Sequence, residues 1–228
     1  MFTFHVIGSK ALGGAERWFL RLTLALAEQG WDTERLVRRQ SELAMLTHKV
    51  PCHTLPLRTV WDPLSRLEVS NLITKKGPEI VQTYMGRATR LTHLSKKKGP
   101  LHIARLGGYY KLKGYKHAHY WLGNTKGVCD YLIKSGLPSK KVFHITNFVN
   151  KPSLSDSEEL NRLRSKLGLA QEDLIILTPG RFVPVKGHFY LLKAMAQIPY
   201  ELCGRKVKLI MLGNGPLEGE LRRLALDL

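Results

Sequence analysis

Arg181 and Lys186 stand five residues apart inside "GRFVPVKG", residues 180–187 of a 228-residue chain. Arg181 leaves the carboxyl end of the apolar run "LIILT", and Lys186 with Gly187 precedes a helical pattern. Ligands of open α/β sheets bind beyond the carboxyl ends of the strands. Two fixed cations there would stabilise a group whose negative charge grows as a bond breaks, such as a departing diphosphate. Read alone, the same pair is two solvated loop residues. "LGNGP", with Gly213 and Gly215, repeats the strand, glycine loop and helix order a little further on, although an ordinary βα turn has the same look. A third loop, "GSKALGGAERW" at 8–18, follows the apolar "TFHVI". Its Gly8-to-Gly13 spacing matches the start of a P-loop, but Gly14 and Ala15 occupy the places of the P-loop Lys and Ser or Thr. The N–H groups of Gly13 and Gly14 at a helix N-terminus would attract an anion, and Glu16 suits the dipole of that first turn. The loop lacks the lysine of a P-loop at its proper place, so that charge must come from elsewhere; the alternative is a tight turn with no ligand.

These loops need a scaffold of alternating strands and helices. Strand-like runs are "TFHVI", "TERLVR", "CHTLPL", "EIVQTYM", "LHIARL", "YWLGN" and "KVFHITNF". Between them "AERWFLRLTLALAEQG" has apolar residues at helical spacing and Gly30 as a stop. "DPLSRLEVSNLITKKG" opens on an Asp62 cap with Pro63 at the first helical position and closes on Gly77. "TKGVCDYLIKSG" is capped by Thr125 and ended by Gly136. After a polar linker, "FVNKPSLSDS" at 148–157, the alternation restarts: helix "SEELNRLRSKLGL", strand "LIILT", helix "HFYLLKAMAQI", strand "KVKLIML" and helix "LEGELRRLALDL". Such alternation implies parallel βαβ units with both sheet faces covered. The expected fold class is α/β, two Rossmann-like domains in tandem, 1–150 and 151–228, with the second incomplete because two or three units make too small a sheet.

Composition narrows the partners. Apolar residues make up 43% of the chain, enough for a core, and the net charge is +18. Residues 1–150 hold 24 Lys and Arg against 9 Asp and Glu, net +15, whereas residues 151–228 hold 12 against 9, net +3. A basic half beside a nearly neutral one points to an anionic partner for the first: nucleic acid, acidic lipid headgroups or a phosphorylated glycan. A basic surface kept for solubility is the plain alternative. The cysteines, Cys52, Cys129 and Cys203, are odd in number and far apart, as in a reduced, cytoplasmic protein. No apolar stretch has membrane-spanning length, and the start lacks the order of a signal peptide. His117 and His119, two apart with no third ligand in view, do not make a metal site.

"GGAE" at 13–16, "NFVN" at 147–150, "GRFVPVKG" at 180–187 and "LIMLGNGPLEGEL" at 209–221 occur in order and at suitable separations. Together they resemble the retaining glycosyltransferases of family four, which have the GT-B architecture. The middle, "VQTYMGRATRLTHL" and "ARLGGYYKLKGYKHAHYWLGNTKGVCDYL", is similar to bacterial members that build lipopolysaccharide and related cell-surface glycans. The resemblance implies that the N-terminal domain binds a glycan or glycolipid acceptor and the C-terminal domain a nucleotide-diphosphate sugar, with transfer in the cleft between them. Gly180, Arg181 and Lys186 would grip the donor diphosphate, Arg181 and Lys186 being the catalytic cations. Gly213 and Gly215 would form part of the nucleotide wall, and Gly13, Gly14 and Glu16 the acceptor-side loop. The missing lysine of the first loop is then supplied by the second domain, and neither metal nor cofactor is needed.

Two departures accompany the likeness. The family's paired glutamates, eight positions apart and further along its chains, have no counterpart before Leu228; Glu34 and Glu42 share the spacing but lie in the wrong half. Many members carry a histidine after the strand read here as "LHIARL", where this chain has Arg105, Leu106, Gly107 and Gly108, and His102 falls within the strand. Arg87, Arg90, Arg105, Lys111, Lys113 and Lys116, interleaved with Tyr84, Tyr109, Tyr110 and Tyr115, would hold a phosphorylated acceptor beside an anionic membrane surface. "SKKKGP" at 95–100 reads as a helix end with dipole-matched lysines. The expected location is cytoplasmic, in peripheral contact with the inner face of the cytoplasmic membrane, and no nucleic acid is expected. The alternatives are a catalytically inactive remnant that binds acceptor and a basic nucleic-acid-binding protein.

Overall fold

Caps and stops written into the sequence set most of the element boundaries in the computed structural model, which describes residues 1–46, 49–95, 98–152 and 156–228. The chain runs β1 (Phe2–Ile7), α1 (Gly14–Glu28), β2 (Asp32–Arg38), α2 (Glu42–Met45), β3 (Cys52–Leu55), α3 (Pro63–Lys76), β4 (Ile80–Tyr84), α4 (Met85–Leu91), β5 (Leu101–Leu106), β6 (Tyr120–Gly123), α5 (Lys126–Lys134) and β7 (Val142–His144). Then come α6 (Ser157–Lys166), β8 (Leu174–Pro179), α7 (His188–Met195), β9 (Glu201–Leu202), β10 (Arg205–Leu212) and α8 (Glu218–Asp227). Two compact units divide it, Met1–Lys151 and Pro152–Leu228.

The first unit is a parallel seven-stranded sheet in the order β3-β2-β1-β4-β5-β6-β7. The strand order reverses between β1 and β4, so the loops that follow those two strands diverge and leave a crevice at their carboxyl ends. Alternation along β1 feeds both faces. Phe4 and Val6 pack with Val69 and Ile73 of α3 and Ala88 and Leu91 of α4, whereas Ile7 packs with Trp18 and Phe19 of α1. Asp62 accepts the Leu64 N–H at the start of α3, Gly77 ends that helix in the left-handed conformation, and Thr125 accepts the Val128 N–H at the start of α5.

The second unit holds a three-stranded sheet, β8-β10-β9, with β8 and β10 parallel and β9 antiparallel at the edge. Phe182, Leu192 and Leu221 form its small core against Leu209 and Met211.

Several expected elements differ. The strand read through Met85 stops at Tyr84, because Ala88 and Leu91 draw "MGRATRL" into a helix against the core. The strand expected over 141–148 is paired to β6 only over Val142–His144. "SKKKGP" does not end a helix: α4 finishes at Leu91, Ser95 and Lys98–Pro100 lie beyond it, and Lys96 and Lys97 lie outside the described residues, as do residues 153–155 of the linker. The short helix α2, capped by the Ser41 side chain, and the β9–β10 hairpin were not foreseen.

Candidate functional site

In the second unit, two glycine loops sit side by side at the carboxyl ends of the parallel strands β8 and β10. The Gly180 N–H donates to the Leu212 carbonyl, that of Phe182 to Asn214, and that of Leu217 back to Phe182. This lacing requires glycine. A Cβ on Gly213 would run into the Gly180 carbonyl oxygen, and one on Gly215 (φ +154) would stand 2.6 Å from the Phe182 carbonyl oxygen. Arg181 and Lys186 project from this base as exposed side chains, and among the described residues neither is in an ion pair. Lys186 folds back over Gly180, its Cδ 3.9 Å from where a Cβ would be. Sequence reasoning passed over His188. It is 3% exposed at the first turn of α7, lies edge-on to Phe182 at 5.1 Å, and its buried Nδ1 has no hydrogen-bond partner among the described residues. Its only sequence signal is its place directly after Gly187.

In the first unit, the crevice between β1 and β4 holds a concavity of about 310 Å³ lined by Ser9, Lys10, Arg38, Met85 and Arg87 with Gly8 and Gly86. The Arg87 guanidinium donates to the Gly8 carbonyl at 3.2 Å, which fixes it across the mouth of β1. Burial first, and the Arg38 charge second, press the Arg87 pKa below its ordinary value. Among the described residues the Ser9 hydroxyl, buried there, has no partner. Three cations around an unpartnered hydroxyl, with no carboxylate in the lining, form a place for an anion. Of these, only Arg87 was expected from sequence. Lys10, in the loop after β1, and Arg38, the last residue of β2, meet only because of the strand order.

The other expected residues of this unit have different work. The Gly13 N–H is not open to a ligand, because it donates to the Glu16 carboxylate at 2.9 Å and Glu16 is buried. Gly14 faces open space. Arg105, 4% exposed, lies over the Trp18 ring at 3.8 Å and donates to the Asn147 side chain. It thus anchors "NFVN" to the end of β5 instead of reaching toward a ligand. Tyr84 and Tyr115 are buried: Tyr84 bonds to His5 and Gln82, and Tyr115 accepts the Trp121 indole N–H at its carbonyl. They are core residues, so the tyrosine face expected for an acceptor loses these two. Tyr109 remains 69% exposed, edge-on to Tyr131. Tyr110 stacks on Tyr115, and Lys111, Lys113 and Lys116 are exposed. Arg90 lies against Trp61. His117 donates through Nε2 to the Thr89 and Thr92 carbonyls, and the His119 Nδ1 accepts the His102 N–H. Among the described residues no three His, Cys, Asp or Glu side chains gather as metal ligands would.

Residues 160–228 match the family model "Glycosyl transferases group 1". The chain is 28% identical over 223 residues to the lipopolysaccharide core biosynthesis glycosyltransferase LpsE of Rhizobium meliloti, covering 95% of this chain and 61% of that protein. Among solved structures, Anabaena HepE in complex with UDP and glucose superposes with a TM-score of 0.75 at 16% identity, over 100% of this chain and 66% of that one. A glycosyltransferase from Rickettsia africae superposes with a TM-score of 0.79 at 18% identity, over 99% of this chain and 65% of that one. The chain therefore spans a little under two thirds of the length of these relatives. The fold expected from the motifs stands: two α/β units of the GT-B fold class, in a chain similar to group 1 glycosyltransferases.

Proposed function

We propose that this chain carries the acceptor-binding unit and the diphosphate-gripping part of the donor unit of a glycosyltransferase. It would move a sugar from a nucleotide-diphosphate sugar to a lipopolysaccharide-type glycan. The observation that carries the reading is the exposed Arg181 and Lys186, in no ion pair among the described residues and held on interlaced glycine loops at the carboxyl ends of two parallel strands. In the transfer, the acceptor hydroxyl oxygen bonds to the anomeric carbon, the bond from that carbon to the diphosphate breaks, and the hydroxyl proton passes to the departing diphosphate. The electron pair leaves on the diphosphate, where the two cations offset the growing charge. Side-chain cations in this role remove the need for a divalent metal. Retention of configuration is proposed from the resemblance to the retaining family.

The first unit, net +15 up to residue 150, would receive a glycan that carries phosphate or another anion. The crevice of Ser9, Lys10, Arg38 and Arg87 supports this role. Among the described residues no helix is long and apolar enough to cross a membrane, and the basic surface supports peripheral contact with an anionic one.

Calorimetric titration with UDP-glucose and GDP-mannose tests the reading. One of them should bind, and Arg181→Ala or Lys186→Ala should weaken it by about tenfold or more, the scale of a charge-assisted hydrogen bond. Binding that is equal in wild type and in the double variant would remove the assigned role.

A further inference from the structure

A second recessed site lies in the first unit, away from the β1–β4 crevice. It is bounded by the β3–α3 loop, the end of α4 and the segment 113–117, and encloses about 360 Å³. Arg66, Arg90 and Lys113 line it, His93 and His117 form a parallel stacked pair in its wall at 3.9 Å, and Trp61 stands at its edge. Trp61 is 78% exposed, a large apolar surface left to water. The Arg90 guanidinium lies 5.6 Å from the Trp61 ring centroid, its stem crosses Gly114 where any Cβ would collide with it, and its buried Nε has no partner among the described residues. Among the described residues Asp62 is the one carboxylate in the lining, and it is committed to the start of α3, accepting the Leu64 N–H at 3.2 Å and the Ser65 hydroxyl at 2.6 Å. Among the described residues, none of Arg66, Arg90 and Lys113 has an acidic partner.

We propose that this recess is a second carbohydrate subsite, which takes a phosphorylated sugar of the acceptor with its ring on Trp61 and its phosphate among Arg90, Arg66 and Lys113. An aromatic face accepts the C–H side of a sugar ring, and an arginine fixed by packing matches a phosphate through its planar fork at little loss of side-chain freedom. Two anion sites on one unit would fix an extended acceptor at two points. Assigning the ligand to the acceptor rests on the proposed function; the recess and its unsatisfied cations do not.

The test is calorimetry of the wild-type chain with glucose 6-phosphate, glucose, inorganic phosphate and uridine monophosphate, with UDP-glucose and GDP-mannose titrated separately. Glucose 6-phosphate should bind more tightly than either glucose or phosphate, and added salt should weaken it. Trp61→Ala and Lys113→Glu, both at exposed positions where folding is not at stake, should each weaken it by about tenfold. Arg90→Lys, checked for native circular dichroism, should weaken it as well because it loses the fork. No binding of glucose 6-phosphate, or binding indifferent to all three variants, overturns the subsite. If a nucleotide sugar still binds in that case, the proposed function survives without it. Uridine monophosphate binding as tightly as glucose 6-phosphate would make this a nucleotide site. Vesicles of phosphatidylglycerol that bind through Trp61 while glucose 6-phosphate does not would make it a membrane face. Either result overturns the assignment.

Discussion

Arg105 separates what a side chain is from what it does. Its type and place, directly after a strand in a basic half, suggested contact with a ligand. It is instead a buried cation against Trp18, and none of the ion pairs among the described residues includes it. Burial lowers its pKa, with the nearby Tyr84 and Tyr110 opposing. Arg105 and Arg21 together fasten residues 147 and 148: Arg105 donates to Asn147, Arg21 donates to the Phe148 carbonyl at 3.0 Å, and the Phe148 ring meets Trp18 at 6.0 Å. If packing is the main contribution, shape matters more than charge. Arg105→Ala should cost about 2–3 kcal/mol through the cavity left beside Trp18, whereas Arg105→Met, which keeps volume and removes a desolvated charge, should cost less than about 1.5 kcal/mol. Urea unfolding of the two variants gives the comparison. Equal losses would mean that the cation itself, over the indole face, is what stabilises the site.

At the scale of elements, the junction of β4 and α4 combines backbone strain with placement of the crevice. The chain turns from strand to helix with no loop, and Met85 takes a left-handed φ of +64° at the turn. That conformation costs a non-glycine residue about 1–2 kcal/mol. It brings Met85, Gly86 and Arg87 to the mouth of β1. Met85→Gly should therefore stay within about 1 kcal/mol of wild type, relief of strain offsetting the freer unfolded chain. Met85→Val, β-branched and forced into the same region, should lose at least about 2 kcal/mol, or about 4–8 °C in the melting temperature of a chain this long. A melting curve for each variant decides it, and a stable Val variant would show that the turn is not strained. The same junction shows which parts of the fold local sequence could reveal. Asp62, Pro63 and Gly77 bound α3, and Thr125 bounds α5, through interactions within a few residues, so their chemistry is readable in a line of text. Helix α4 carries Gly86 and Thr89, has weak propensity, and forms because Ala88 and Leu91 are buried against other elements. The hairpin β9–β10 turns on Cys203 and Gly204, both at positive φ, a turn conformation usually signalled by Asn-Gly. For the sites, Arg181 and Lys186 were legible because one loop holds both. Lys10, Arg38 and Arg87, like Trp61, Arg90 and Lys113, are assembled from separate segments and only the fold brings them together.

The whole molecule carries +18, and its basic unit hides two histidines that resist further charge. Burial lowers the His5 pKa to about 3, with the ring held between Tyr84 at 2.8 Å and Thr3 at 3.2 Å. Burial also lowers that of His102 to about 3, with repulsion from His117, His119 and His93 adding to it. Both folded values lie below the unfolded value of 6.5. The stability that these neutral rings contribute is complete above pH 6.5 and is lost as pH falls from there toward 3, since the unfolded chain takes up protons that the folded one refuses. Each ring can add a slope of about 1.4 kcal/mol per pH unit, and two together about 3 kcal/mol per unit within that window. Against a typical total stability of about 5–15 kcal/mol, this predicts that the unit Met1–Lys151 unfolds in mild acid. Near-ultraviolet circular dichroism from pH 7 to pH 4 follows Trp18 and Trp121, both buried in that unit. His5→Gln, which keeps a hydrogen bond to Tyr84 without a titrating ring, should flatten the acid limb by about half. A signal unchanged down to pH 4 in wild type would mean that the buried rings find protons without opening the fold. A steep limb that persists in both His5→Gln and His102→Gln would place the acid sensitivity in the mutual repulsion of the surface cations.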